Sequence, residues 1–308
     1  MLKIRTDLAL ELHQMCAGKN AGKYSGIKVD EKTEGSIKIT KIDVLDKEGS
    51  EILGKPAGRY ITVESPEIKY DLEEYEKTCV ILADLIREMS GDSKRTLVVG
   101  LGNKQITPDA LGPLVTEKLM VTGHIKDSED VLGDAISAVF SIAPGVLGTT
   151  GIESAEVIKG VVERVKPDVV IAVDALASRS IDRISTTFQV SDTGINPGSG
   201  VDNKRKALSE ETLGVRVIAI GVPTVVDAKT VAIESIDTAL LEMGEDELDE
   251  MKKGEMIKEH IGKEIGSLMV TPKDIDMVIE KTSKTVANGI NLALHRNLTF
   301  KDIEGYVG

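Results

Sequence analysis

Residues 167–180 read PDVVIAVDALASRS. No polar side chain interrupts the run from Val169 to Val173, so a strand formed there has no solvent face and has to be covered on both sides, as parallel strands are. The run closes on Asp174. Working outward, the same grammar recurs in TLVVGLGN (96–103), AISAVFSIAPG (135–145) and VRVIAIGVPTVVDA (215–228). Between these lie helical stretches such as ALGPLVTEKLMV (110–121) and GIESAEVIKGVVERV (151–165). Strand and helix in alternation predict an α/β fold, a doubly wound, mostly parallel sheet with flanking helices.

The flanks differ. Residues 36–64 alternate apolar and polar around the turn-like Asp46-Lys47-Glu48-Gly49, which predicts a small antiparallel β element. Residues 71–90 carry a helical stripe with acidic residues in the first turn and Arg87 near the end. Thr271-Pro272-Lys273-Asp274 offers an N-cap and a proline at the first helical position before the stripe Ile275, Ile279, Val286, Ile290, Leu294. Residues 241–266, charged, Met-rich and broken by glycines, are expected to be a mobile helical excursion.

With 308 residues, 41% hydrophobic and 29% charged, the chain has an ordinary globular composition. The balance of 51 Asp+Glu against 38 Lys+Arg, net −13, argues against a phosphate-binding surface and so against nucleic acid as a direct partner. Three Phe, five Tyr and no Trp leave little to stack on bases. No run approaches the roughly 20 apolar residues of a membrane span, and charges interrupt the N-terminus where a signal peptide would be apolar, so a cytoplasmic protein is expected. Cys16 and Cys79 stand alone and read as packing residues. Histidines number four; His124 and His260 lie in polar surroundings, and His295 reads as a helix-end cation. Any catalytic chemistry is therefore expected to rest on carboxylates.

Ligands of an open α/β sheet bind beyond the carboxyl ends of its strands. Four segments qualify: Gly100–Asn103 leading through Thr107 and Asp109 to Pro113; Ala143–Gly151 with Pro144, Gly145, Thr149 and Thr150; Asp174–Ser178; and Gly221–Asp227. Gly100-x-Gly102 lacks the third glycine and the distal acid of a dinucleotide site. Asp109 and Asp174 sit at separate strand ends and can converge. If they do, they cannot both ionise comfortably; the pair then holds one proton and polarises a water against a peptide carbonyl. The bland alternative is a helix cap at Asp109 and a strand-end carboxylate at Asp174 bonded to backbone amides. Asp192-Thr193-Gly194 has the tripeptide of pepsin-like proteases but occurs once, in a chain that is not all-β; a turn is its expected use. No G-x-S-x-G elbow is present.

Several long strings together resemble one family: RTDLALE (5–11), VVGLGN and TPDALGP (98–113), SIAPGVLGTTGIESAEVIKGVVE (141–163), DVVIAVDALASRS (168–180), QVSDTGINPGSG (189–200), IGVPTVVDA (220–228), LMVTPKDID and NGINLALH (268–295). The chain is similar over nearly its whole length to the germination proteases of spore-forming bacteria, and in fold to hydrogenase maturation proteases. The resemblance implies an endopeptidase, active in the forespore and spore core, that degrades small, acid-soluble spore proteins and forms a homotetramer. It points to Asp109 and Asp174 as catalytic, with Gly102, Asn103, Thr107, Pro144, Gly145, Thr149, Thr150 and Ser178 in the loops around them. It also implies a zymogen that cuts itself between Asp7 and Leu8, so that residues 1–7 form a propeptide and residues 8–308 a single peptidase domain. Thr6 or Asp7 as a cap of the first helix is compatible with this. Maturation proteases hold nickel through two acids and a histidine; no histidine lies in the four loops here, so no metal or other cofactor is expected. A metal-dependent protease and a non-catalytic peptide-binding module are the alternatives. Asp202 interrupts the family's PGSGVGN loop at 197–203.

Overall fold

The computed structural model describes residues 6–17, 24–126, 137–196, 206–242 and 268–307. In chain order the elements are α1 (Ala9–Ala17), β1 (Ile27–Glu34), β2 (Ile37–Val44), α2 (Lys47–Leu53), β3 (Gly58–Glu64), α3 (Leu72–Ser90), β4 (Arg95–Gly100), α4 (Leu111–Glu117), α5 (Gly123–Lys126) and β5 (Ala138–Ile142). There follow α6 (Leu147–Thr150), α7 (Ser154–Val165), β6 (Val169–Ser178), β7 (Thr187–Ser191), α8 (Glu210–Leu213), β8 (Arg216–Asp227), α9 (Ala228–Glu242), β9 (Met269–Val270), α10 (Ile275–Leu294) and α11 (Phe300–Val307).

One sheet runs β1-β2-β3-β7-β8-β6-β4-β5, with β9 beside β8. The strands read as unbroken apolar runs, β5, β4, β6 and β8, pair in parallel. Alternate residues of these strands feed two cores. Val98, Ile171, Val173, Ile218 and Ile220 pack under α3, α4 and α10. Leu97, Val99, Val170, Ala172 and Val217 pack under α7 and α8. Both faces are thus buried, as the runs required.

The antiparallel segment is not a separate excursion. β1, β2 and β3 form a meander that joins the main sheet through β3 and β7, and it carries its own small core of Ile42, Val44, Leu53 and Tyr60 against α1. The expected turn at Asp46–Gly49 is instead the start of α2. Asp46 accepts the Gly49 N–H at 2.9 Å as N-cap, and a Cβ on Gly49 would come within 2.2 Å of Gly26 O. That glycine therefore serves a close backbone approach rather than a turn. Helix α3 begins as read, with Asp71 capping the Glu73 and Glu74 amides.

Thr271 does not cap the last long helix, which starts four residues later. Its hydroxyl donates to Thr224 O at 3.1 Å and ties the lead-in to β8. The expected excursion at 241–266 lies outside the described residues beyond Glu242, as do His260 and the loop at 197–203. Among the described residues no helix is long and apolar enough to cross a membrane.

Candidate active site

At the carboxyl ends of the parallel strands β4 and β6 lie side by side, with Gly100 opposite Val173 and the Leu101 N–H donating to Val173 O at 2.8 Å. The chain leaving β4 turns at Gly102, whose φ of +113° suits glycine. It returns over the strand ends through a single 3-10 turn, Thr107–Asp109, which touches β6, β8 and α10. Space there is made by missing side chains. A Cβ on Gly102 would fall 2.0 Å from Asp109 O and 3.1 Å from Asp109 Oδ1. A Cβ on Gly112 would fall 2.3 Å from Leu101 O and 2.7 Å from Val173 O. Asp109 is thereby pressed onto the end of β4 while the first turn of α4 rests on the carbonyl that precedes Asp174. Asp109 Oδ2 accepts the Asn103 N–H at 2.7 Å, and Asn103 Oδ1 accepts the Gln105 N–H at 3.0 Å, which fixes the loop's shape.

Asp174 is 6% exposed and accepts the Ala175 N–H at 3.0 Å. By the alternation of β6 its side chain continues the face of Val170 and Ala172, the face toward α7. On its rung stand Gly221 of β8 and, one strand further, Gln189 of β7. Gln189 is a buried polar residue between Phe188 and Val190 of β7.

The remaining expected residues divide. Pro144, Gly145, Thr149 and Thr150 follow β5, the strand beyond β4 at the same edge. Thr149 and Thr150 both donate to Val146 O, and Ser154 donates to Gly145 O, so these polar groups hold the loop and the start of α7. Ser178 is fully buried past a bulge in β6 and donates to Ser180 O at 2.8 Å.

The Asp7–Leu8 bond lies against the same end of β6. The Asp7 N–H donates to Ala177 O at 2.9 Å and its Oδ2 accepts the Ala177 N–H at 2.9 Å, so that oxygen is committed to β6 rather than to the start of α1. Thr6 Oγ1 accepts the Leu8 N–H at 3.1 Å instead. The Asp7 carbonyl accepts from Lys55 Nζ at 2.8 Å and from Gln189 Nε2 at 3.5 Å. Gln189 Oε1 accepts the Ala9 N–H at 2.7 Å, and Leu8 is 0% exposed. Burial pushes the Lys55 ammonium down from its usual range while the charge of Asp7 works the other way. Sequence reasoning missed both Lys55 and Gln189; the one available signal was the glutamine amid apolar neighbours.

Beside this segment, buried Glu11 accepts the Arg179 and Ser180 amides and pairs with Arg183 at 2.7 Å. Arg183 also reaches Glu64 at 3.1 Å. Burial opposes the Arg183 charge, yet its bonds to Glu11 and Glu64 leave its pKa raised.

Asp192 takes the Arg59 N–H at 2.7 Å in a turn that ends β7, with Gly194 at φ +75°. It runs away from the Asp174 rung, and the Asp-Thr-Gly string is used as a turn. His295 is not a helix-end cation. It is fully buried, its Nε2 bonds Met120 O at 3.1 Å, and burial lowers its pKa against the opposing effect of that carbonyl. Since Met120 O only accepts, Nε2 carries a proton. Among the described residues no three His, Cys, Asp or Glu side chains gather closely enough to hold a metal ion.

The chain was compared with known proteins. Over 322 residues it is 46% identical to a germination protease of Clostridium tetani, spanning 99% of this chain and 100% of the relative. It is 40% identical to that of Bacillus velezensis over 348 residues, 96% and 94% of the two chains. A NiFe hydrogenase maturation protease from Thermococcus kodakarensis aligns with 68% of this chain and 98% of its own at a TM-score of 0.35 and 19% identity, too distant to carry an argument. The germination protease family model matches residues 6–253 and 243–307, and with that coverage the chain belongs to the germination protease family of peptidases.

Proposed function

We propose that this chain is an endopeptidase of aspartic type in which Asp109 and Asp174 activate a water between them. The observation that carries the reading is the shared strand edge: glycines at 102 and 112 let the Asp109 turn close onto the backbone that presents Asp174. In the proposed reaction the pair holds one proton. The charged carboxylate takes a proton from water, and the protonated one hydrogen-bonds the scissile carbonyl. The tetrahedral intermediate collapses as a proton passes to the leaving nitrogen. In this reading the two aspartates share the proton, so the roles belong to the pair.

Following the family resemblance, the substrates are small, acid-soluble spore proteins in the spore core, the working form is a homotetramer, and a precursor matures by cutting at Asp7–Leu8. Because Leu8 is enclosed and the Asp7 carbonyl is held by Lys55 and Gln189, release of residues 6–9 precedes that cut. The same enclosure is what favours the second reading, a module that holds peptide without cutting it.

Intact mass of the purified protein after incubation at mildly acidic pH separates the two. The peptidase reading expects loss of residues 1–7 in wild type, with at least about a 10³-fold slower cut in Asp109→Asn and Asp174→Asn, both folded by circular dichroism. Full-length wild type under every activating condition would favour the module. Cleavage abolished by a chelator would replace the aspartic mechanism with a metal-assisted one.

A further inference from the structure

On the α3 and α10 face of the sheet, a groove of about 380 Å³ opens between the start of α3 and the first half of α10. Its lips are apolar and exposed: Tyr70 is 86%, Leu72 70% and Met277 55% accessible. Three lysines, Lys69, Lys281 and Lys284, line it, a local reversal of sign in a chain of net charge −13. Of the two lining carboxylates, Asp71 is engaged in capping α3, and Asp274 stands at the N-cap position of α10 without a side-chain cap bond, so the lysines outnumber the acids by three to two. Among the described residues Lys69 and Lys281 have no ion-pair partner.

The groove also holds an unsatisfied donor. Ser185 lines it, is 3% exposed, and its Oγ has no hydrogen-bond partner. A buried hydroxyl left unbonded is destabilising. Ser185 adds to that a φ of +57°, a conformation that L side chains adopt at a cost. Its N–H is held by Pro223 O at 2.9 Å, and Pro223 pairs with Leu176 on β6, two residues beyond Asp174. The groove therefore opens at the edge that carries Asp174, on the opposite face of the sheet, beside the helix that touches the Asp109 turn.

We infer that this groove is a docking subsite for an extended peptide segment in which acidic and apolar side chains alternate, a part of the substrate chain removed from the scissile bond. The inference rests on the peptidase reading. Apolar side chains of the segment cover Tyr70, Leu72 and Met277, its carboxylates meet the lysines, and a main-chain group satisfies Ser185 Oγ.

The test uses two synthetic peptides: KIRTDLALEL, residues 3–12 of this chain, and the same peptide carrying a Leu-Glu repeat at either end. The extension should lower KM without raising kcat. Lys281→Glu should raise KM for the extended peptide about fivefold, the size of a surface ion pair, and leave the short one unchanged. Ser185→Ala, which breaks no bond inside the protein, should do the same without lowering the melting temperature. Equal KM for both peptides, or variants that affect both alike, would overturn the subsite. A fall in sedimenting mass for Leu72→Ser would assign the face to a second copy and also overturn it. If neither peptide is cut, the peptidase reading fails separately. Fluorescence anisotropy of a fluorescein-labelled Leu-Glu repeat then decides the groove: binding weakened by Lys281→Glu sustains it, and binding indifferent to that change ends it.

Discussion

Replacing Gly112 by alanine tests whether the closeness of the Asp109 turn to the strand ends is what makes the site. The added methyl would meet three backbone atoms, Leu101 O at 2.3 Å, Leu101 N at 2.5 Å and Val173 O at 2.7 Å. None of these can rotate away as a side-chain tip would. Restoring ordinary van der Waals separation moves the first turn of α4 off the sheet by about 1 Å, and Asp109, three residues upstream, moves with it. Overpacking of this kind costs about 1–3 kcal/mol of stability. A 1 Å error in a reacting group costs about 10²-fold in rate, so activity should suffer more than folding. The assay pairs kcat/KM on a peptide spanning Asp7–Leu8 with urea unfolding of the same preparation. Gly160→Ala is the control: nothing lies within 4 Å of its added Cβ in the middle of α7, and removing a helix glycine should stabilise by about 0.5–1 kcal/mol. Wild-type kcat/KM in Gly112→Ala would refute the reasoning, because the closeness would then be irrelevant to the chemistry.

Arg183→Ala leaves Glu11 buried without its counterion and should cost about 3–5 kcal/mol, read as a fall in urea midpoint; a change under about 1 kcal/mol would mean that the Arg179 and Ser180 amides suffice. Lys55→Met keeps the buried stem but removes the bond to the Asp7 carbonyl, and hydrogen exchange at the Asp7 amide should quicken by about tenfold. Unchanged exchange would show that Ala177 and Gln189 suffice to anchor the segment. For His295 the folded pKa lies below the ordinary 6.5 because burial disfavours the charged ring. The unfolded chain therefore binds the proton first, and stability that is complete above about pH 6.5 drains as pH falls through the folded value. Urea midpoints measured across that window should drop in wild type and flatten in His295→Gln; parallel curves would refute the lowered His295 pKa.

The parallel half of the sheet was legible because its strands are apolar on both faces, a pattern that only a covered strand tolerates. The meander's attachment was not legible. The pairing of β3 with β7 joins residues more than a hundred positions apart, and nothing local in GRYITVE names its partner. Asp46–Gly49 misled because an N-cap and a turn share the same residues. At the site, the two strand ends and their carboxylates followed from chain direction, whereas Lys55 and Gln189 act through contacts with the N-terminal segment that no spacing encodes. His295 was misjudged because the end of a helix is ordinarily exposed, and here Met120 closes over it.

The enclosure of Leu8 bears on what a cut chain would be. In the intact protein the Leu8 amide is uncharged and donates to Thr6 Oγ1. Scission after Asp7 takes that acceptor away and converts the amide into an α-amino group, ordinarily titrating at about pH 8. Glu11, one turn along, is already committed to Arg183 and two amides, and enclosure favours the uncharged amine. A processed chain would thus carry an ionisable amine at Leu8, where the intact chain has an uncharged amide, and the seating of its first helix would gain a sensitivity to ambient acidity from the cut.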